Sequence, residues 1–334
     1  MLPALFIFAC TSTAPVQPFA AEGPVWPAAP RQARIAFVGE FSDDADLGIR
    51  PSLWGRFVSA LAGSDDNRMV RPMSVVALSD HQLIFVADPD AGCVHRYDLE
   101  RRRYHCLTAV DESSVLRPIG LAIVDEEWLI VSDPGRGALY RGGIDEDSLE
   151  IFYASANLEQ PTGVSWSQSA ERLYVTDTAQ QVVLEFDREG NLKRTIGSHG
   201  AAPGQFNFPT FVWADLDGEL LVTDSLNFRL QRFGRDGQFL HTFGESGDRP
   251  GDFSRPKGVA ADESGHIYVV DALMHVMQVF DRDGRLLLSV GAQGQGEGEF
   301  WLPNGIFVTR DNMIFVADSY NKRVQVFRYV GPPT

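Results

Sequence analysis

The most regularly spaced residues that could do chemistry are six aspartates, each of which ends a short apolar run. They are Asp88, Asp133, Asp177, Asp224, Asp271 and Asp318, at steps of 45, 44, 47, 47 and 47 residues. A carboxylate can act as a general base, but one active site does not need the same aspartate six times. Aspartate also caps backbone N–H groups in the turn that follows a strand. We therefore predict a structural role for all six.

Histidines are the second group of candidates, because a zinc site needs several His, Cys or carboxylate ligands at one point. The seven histidines are His81, His95, His105, His199, His241, His266 and His275. A proline lies about fifteen residues before each aspartate, and the residues that follow these prolines are Met73, Ile119, Thr162, Thr210, Lys257 and Asn304. None of these six is a histidine, or a carboxylate that could bind calcium. We predict no metal site, no cofactor and no catalytic residue, while an Asp/His or Ser/His/Asp arrangement stays open.

Cys93 and Cys106 flank a stretch that has the pattern of two short strands around a turn near Leu99 and Glu100. The two cysteines would then lie roughly opposite each other on paired strands. Cross-strand Cβ atoms are about 4.5–5.5 Å apart, which is close to the separation that a disulfide needs. One prediction is a Cys93–Cys106 disulfide, and the alternative is two reduced, buried thiols.

Residues 1–33 form an apolar run, "MLPALFIFAC", followed by a stretch rich in proline and alanine. The run is too short for a membrane-spanning helix, which needs about 20 residues, and is typical of a secretory signal. Residues 7–10 resemble the lipobox of bacterial lipoproteins, which implies lipidation at Cys10. No Lys or Arg precedes the run and Phe8 is bulky, so a frayed terminus or a misplaced start codon is the alternative. We expect a protein of the bacterial cell envelope or periplasm, attached to a membrane by a lipid.

Short strands must position all of these residues. The fifth unit shows the pattern: "KGVAA", a turn, "IYVVD", a loop, "HVMQVFD", the turn "RDG" and "RLLLSVG". Asp-Gly between apolar stretches predicts a hairpin in which both turn residues have positive φ. Six four-stranded units cannot bury their own faces, and stacking them in a ring makes a six-bladed β-propeller. A linear β-solenoid is the alternative, but its repeats are much shorter.

The units resemble the NHL-repeat family, in which an apolar strand and Asp are followed by Asn-x-Arg and a Val-x-Val-Phe-like strand. The fourth unit matches with Asp224, Ser225, Asn227, Arg229 and Phe233, and the sixth with Asp318, Ser319, Asn321, Arg323 and Phe327. The other units depart from the pattern at the Arg position. The resemblance spans residues 72–330 and implies an all-β propeller of NHL-type blades. We expect the Arg to tie neighbouring blades together, and Phe206, Phe253 and Phe300 to pack between blades.

On this interpretation, a strand near the N-terminus closes the ring of blades. The sixth unit ends after "RVQVFRYVG" without a fourth strand, and residues 35–41 match the fourth strands of other units. We predict one domain over residues 34–330, with the closing strand at residues 35–41 and six repeats over residues 72–330. An insert between the closing strand and the first repeat has the pattern of a helix at residues 52–62, with Ser52 as N-cap.

Binding residues are expected in loops, which a rigid ring presents to partners. The loops at the end of the ring where each first strand begins, here called the top face, depart most from the repeat pattern. They contain the predicted ligand-binding residues Arg136, Arg255, Lys257, His275, Trp301, Asn304, Tyr320 and Lys322. The cations could orient an anionic or polar group, with Trp301 and Tyr320 as aromatic anchors. The alternative is a solvated rim without a ligand.

The net charge of −16 argues against nucleic-acid binding, which needs an excess of Lys and Arg. We therefore expect a monomeric, non-catalytic binding or scaffold module for an envelope protein, peptide or glycan. The alternative is a lyase or hydrolase with a top-face active site, as found in some similar propellers.

Overall fold

The computed structural model describes residue 19 and residues 23–49, 67–78, 80–110 and 115–332. In these described residues, twenty-five strands alternate with turns and loops, and the regular helices are two 3₁₀ turns, Ser225–Asn227 and Ser319–Asn321. The predicted helix at residues 52–62 and the predicted lipidation site Cys10 lie outside the described residues. No helix among the described residues is long and apolar enough to cross a membrane.

Four strands make each of the first five blades, numbered from the channel outward. Blade 1 contains β3 Ser74–Ala77, β4 Leu83–Asp88, β5 Cys93–Asp98 and β6 Arg103–Ala109. Blade 2 contains β7 Leu121–Val124, β8 Trp128–Asp133, β9 Ala138–Gly143 and β10 Ser148–Ala154. Blade 3 contains β11 Pro161–Ser167, β12 Arg172–Asp177, β13 Val182–Phe186 and β14 Leu192–Ile196. Blade 4 contains β15 Pro209–Ala214, β16 Leu220–Asp224, β17 Arg229–Phe233 and β18 Phe239–Phe243. Blade 5 contains β19 Pro256–Ala261, β20 Ile267–Asp271, β21 Val276–Phe280 and β22 Leu286–Val290.

Blade 6 is built from both ends of the chain and confirms the predicted closure. Its inner strands are β23 Ile306–Val308, β24 Met313–Asp318 and β25 Arg323–Tyr329, and β2 Ile35–Phe41 pairs antiparallel with β25. This pairing covers the edge of β25, which would otherwise be open to other strands. The six-bladed, all-β fold is therefore as predicted.

The boundary of the N-terminal tether at residue 33 was wrong. A fifth strand, β1 Val25–Trp26, pairs with β2, and the Trp26 ring lies 5.9 Å from that of Phe327. Phe19 also contacts blade 6, with its ring centroid 5.7 Å from that of Phe315. The partly buried side chains of Trp26 and Phe19 pack on blade 6, which a composition rich in proline and alanine did not indicate.

The Asp-Gly turns also differ from the prediction. In blade 5, Gly284 has a φ of +81°, whereas Asp283 is not among the residues with positive φ. The strand register shifts beside the turn, between Val279 and Phe280. This is the geometry of a three-residue loop that ends in a left-handed glycine and a bulge.

The repeated aspartates have the predicted structural role. All six are fully buried; in blade 5, Asp271 Oδ1 accepts backbone N–H groups of Arg255 and Met274, both at 3.0 Å. Each such carboxylate therefore joins the loop before a blade to the loop after its second strand.

The NHL-like Arg and Phe positions hold the same loops. Arg323 donates to Asp318 and to three carbonyl oxygens of residues 295–299, and Arg229 repeats the pattern with Asp224 and the carbonyls of Ala202 and Gln205. Three equivalent phenylalanines are fully buried between blades: Phe206, Phe253 and Phe300. The loop that connects two blades is thus packed and hydrogen-bonded to the blade that follows it.

Cys93 and Cys106 lie in neighbouring strands of blade 1, with their Sγ atoms 2.11 Å apart and their Cα atoms 5.6 Å apart. The residue directly opposite Cys106 is His95, so the two cysteines are diagonal neighbours. The predicted register was therefore off by two residues, because the turn is centred one residue later than expected, between Glu100 and Arg101.

Candidate functional site

The residues that follow the repeat prolines, here called the mouth residues, lie where the inner strands begin, at the top mouth of the central channel: Met73, Ile119, Thr162, Thr210, Lys257 and Asn304. A glycine follows the mouth residue in four blades: Gly120, Gly163, Gly258 and Gly305. The N–H of Gly258 donates to the Asn304 carbonyl at 2.9 Å, and a Cβ at Gly258 would lie 2.6 Å from that oxygen. Neighbouring inner strands can approach this closely only without a side chain. The mouth residues of blades 5 and 6, Lys257 and Asn304, are therefore held side by side.

Lys257 is the one cation among the six mouth residues. Its side chain is half-buried, and no hydrogen bond or ion pair joins its Nζ to another residue of the described chain. Burial, together with the charge of nearby Arg255, lowers the pKa of Lys257 to about 8. A buried ammonium that lacks an anionic partner is costly, and an anion at the mouth would relieve that cost.

Arg255 lies two residues before Lys257, where the chain enters blade 5. Its backbone N–H is held by Asp271 at 2.9 Å, and its guanidinium makes no ion pair with a described residue. The two cations therefore place a local positive charge at the mouth of an otherwise acidic protein.

An aromatic pair lies in the top-face loops of blade 6, the neighbouring blade. The ring centroids of Trp301 and Tyr320 are 6.1 Å apart, and the residues are 39% and 51% exposed respectively. The backbone of Trp301 is fixed by Asp318 at 2.8 Å, and Tyr320 donates its N–H to the Trp301 carbonyl at 3.1 Å. The pair is thus an exposed aromatic surface on a rigid backbone.

The remaining predicted residues divide into two groups. His275 belongs to the same sector, because its Nδ1 accepts the N–H of Leu302 at 3.1 Å and so joins the loops of blades 5 and 6. Lys322 ends the 3₁₀ turn of blade 6 and is exposed. Arg136 lies in blade 2, where it donates to the Tyr140 hydroxyl at 2.6 Å. The structure therefore brings seven of the eight residues into the sector of blades 5 and 6 and leaves Arg136 apart.

No group of three or more His, Cys, Asp or Glu side chains in the described part of the chain is arranged to hold a metal ion. Burial raises the pKa of Asp318 and Asp224, two of the repeated aspartates. Their hydrogen bonds to backbone and Arg groups show that these carboxyls are used for loop anchoring.

The sequence did not indicate a cavity of about 440 Å³ at the opposite end of the channel. Its walls are inner strands, and its rim consists of turns between the first and second strands of the blades. The six mouth residues do not line it, although Ser74, Gly120 and Phe211, which directly follow three of them, do. Trp213 of blade 4 and Phe307 of blade 6 meet there with centroids 5.8 Å apart. The available signal was an aromatic residue inside three first strands: Trp166, Trp213 and Phe307.

Comparison with known proteins agrees with this architecture. Residues 263–330 match the family DUF5128, described as a 6-bladed beta-propeller. No curated protein matches the sequence significantly. The chain is similar in structure to a Bacteroides thetaiotaomicron protein of unknown function, with TM-score 0.62, 15% identity, and coverage of 79% of this chain and 70% of the other.

Two further solved structures carry functional descriptions. An auxiliary nutrient binding protein from Bacteroides thetaiotaomicron has TM-score 0.61 and 13% identity, with 79% of this chain and 70% of that chain covered. A catalytically inactive virginiamycin B lyase from Staphylococcus aureus, solved with quinupristin, has TM-score 0.59 and 12% identity, with 80% and 97% covered. At these identities the similarity shows a common fold.

Proposed function

We propose that this propeller is an exported, lipid-tethered binding module of a bacterial cell envelope, with NHL-type blades and a top-face site for an anionic group. The observation that carries the proposal is Lys257, a half-buried ammonium at the channel mouth without a partner among the described residues. The partner is a protein, peptide or glycan that presents a carboxylate or a similar anion. The description of a similar structure as a nutrient binding protein supports a binding role.

The charge distribution favours one orientation of the partner. Lys257 and Arg255 are local cations on a chain of net charge −16, so an anionic group is attracted to the mouth and repelled elsewhere. A mouth with partly buried walls focuses that field. The anion would therefore enter at blade 5.

The aromatic pair adds contact area beside the charge. Trp301 and Tyr320 are held on blade 6, whose mouth residue is Asn304. Large amphipathic side chains with little freedom to lose are typical anchors in binding sites. A peptide or sugar ring could stack here while its anion reaches Lys257.

Capture of partners from a bacterial envelope extract by the purified protein tests this proposal. Lys257→Ala and Trp301→Ala should each weaken capture about tenfold, which corresponds to about 1.4 kcal/mol of binding free energy. Their melting temperatures should stay near that of the wild type, because neither side chain packs in the core.

Matched controls lie in the turns between third and fourth strands on the opposite face. Asp236→Ala and Asp283→Ala change exposed charges there and should leave capture unchanged. An equal loss from these two variants, or no loss from either top-face variant, would refute the placement of the site.

A further inference from the structure

We infer that the cavity at the opposite end of the channel is a second binding site, for a compact organic cation with an apolar ring. Its volume of about 440 Å³ lies within the range of small-molecule pockets, about 300–1,000 Å³. This site is independent of the proposed top-face site, since the two share none of their residues.

Aromatic and aliphatic side chains form the walls. Trp213 and Phe307 stand on inner strands of blades 4 and 6, and blade 5, which lies between these blades, contributes Val259 and Ala261 to the wall. Trp213, Phe307 and Ala261 are partly accessible, and the two rings touch edge to face, so their remaining accessible surfaces form an aromatic wall beside the small side chain of Ala261. Aromatic faces attract cations as well as apolar groups.

The rim gives the site its charge preference. Its charged residues are Asp125, Glu126, Asp215, Asp262, Glu263 and one cation, Arg310. Arg188 pairs with Asp125 at 3.2 Å, and Asp262 is held by His266 and Tyr268 at 2.7 and 2.8 Å. Carboxylates still outnumber cations around this opening, so it favours positive over negative ligands.

A hydrogen bond across the opening divides it into two halves. Arg310 of blade 6 donates to the Gln168 side chain of blade 3 at 3.1 Å, and these blades face each other in a six-membered ring. The half at blades 4 and 5 contains Asp215 and Glu263 and the space at Ala261. The cationic head would lie at these two carboxylates, with the ring against the accessible surfaces of Trp213 and Phe307 beside Ala261.

Isothermal titration of the full-chain protein with three probes of one shape tests this inference. The probes are 2-phenylethylammonium, 2-phenylethanol and 3-phenylpropanoate, which differ in charge. We expect the ammonium to bind about tenfold more tightly than the carboxylate, with the alcohol between them. Equal or tighter binding of the carboxylate, or no binding of any probe at millimolar concentration, would overturn the inference.

Variants locate the binding. Ala261→Phe should abolish binding of all three probes by filling the space, and Glu263→Lys, at an exposed position, should weaken only the ammonium, by about tenfold. Lys257→Ala should have no effect, which separates this site from the top-face site. Unchanged ammonium binding in Glu263→Lys would contradict the inference even if Ala261→Phe failed to fold.

Discussion

Arg323 and Glu40 join the two ends of the chain, with Nη1 of Arg323 2.7 Å from Oε2 of Glu40. Arg323 also donates from Nε to Asp318 at 2.9 Å, and only 7% of its side chain is exposed. One guanidinium therefore connects the closing strand, the last blade and the loop of residues 295–299.

Arg323→Met should destabilise the protein by about 3–5 kcal/mol, because it leaves the buried carboxylate of Asp318 without its cation. Chemical denaturation of the variant and the wild type measures this difference. Arg285→Met is the control, since Arg285 pairs with Asp281 at the surface and its loss should hardly change the denaturation midpoint. Equal shifts for both variants would show that Arg323 does not hold the closure.

Removing residues 1–42 should strongly lower the melting temperature, because β1 and β2 are lost and β25 becomes an open edge. Removing residues 1–18 should have little effect, since β1 and β2 remain. An unchanged melting temperature after the longer deletion would exclude the closure.

Phe37→Ala tests the packing of β2 on β25 with a single substitution. Phe37 is 2% exposed and its ring lies 5.7 Å from that of Phe327, so the substitution should cost about 3–5 kcal/mol of unfolding free energy. Leu240→Ala, at a residue 48% exposed, is the control for losing an apolar side chain. A cost no larger than that of the control would contradict the packing of β2 on β25.

The lowered pKa of Lys257, about 8, predicts a pH dependence of stability. From about pH 8 up to the usual lysine pKa of about 10.4, the unfolded chain keeps the proton that the folded protein has lost. Stability contributed by this residue therefore rises with pH across that window. Denaturation of the wild type and Lys257→Met at pH 7.5 and 9.5 should show the rise only in the wild type. Parallel pH profiles would show that the mouth does not perturb this lysine.

Cys10→Ser should move the protein from the membrane fraction to a soluble fraction, because the proposed lipid anchor would be lost. Fractionation of bacteria that express each form measures this change.

In the exported wild type, Cys93 and Cys106 should resist thiol labelling until a reductant is added. A wild type found free in the cytoplasm would contradict both the anchor and the bridge.

The repeat pattern predicted the blades because each blade uses the same local rules six times. A proline begins each unit and a buried aspartate ends its second strand, so the strand positions could be derived from spacing alone. The Asp-Gly turns show the limit of this reasoning, since the dipeptide predicted a hairpin correctly but not its loop length or the bulge beside Phe280.

The candidate site was predictable where its residues are close in sequence to the repeat markers. The sequence predicts three of them as site residues because each lies within two residues of a repeat proline or aspartate: Lys257, Trp301 and Tyr320. Arg136 lies three residues after the repeat aspartate of blade 2, yet its side chain donates a hydrogen bond to Tyr140. The spacing of the repeat residues cannot reveal that partner.

The sequence by itself determined the number of blades, the order of strands and the closure by an N-terminal strand, because these depend on repeated short-range patterns and on matching ends. Only the tertiary structure decided the packing of Trp26 on Phe327 and the cavity that Trp213 and Phe307 line together. These features depend on side chains from strands that are distant in the chain and meet only after the ring has closed. In the channel, the space that a side chain leaves depends on the size of the side chains that face it from other blades.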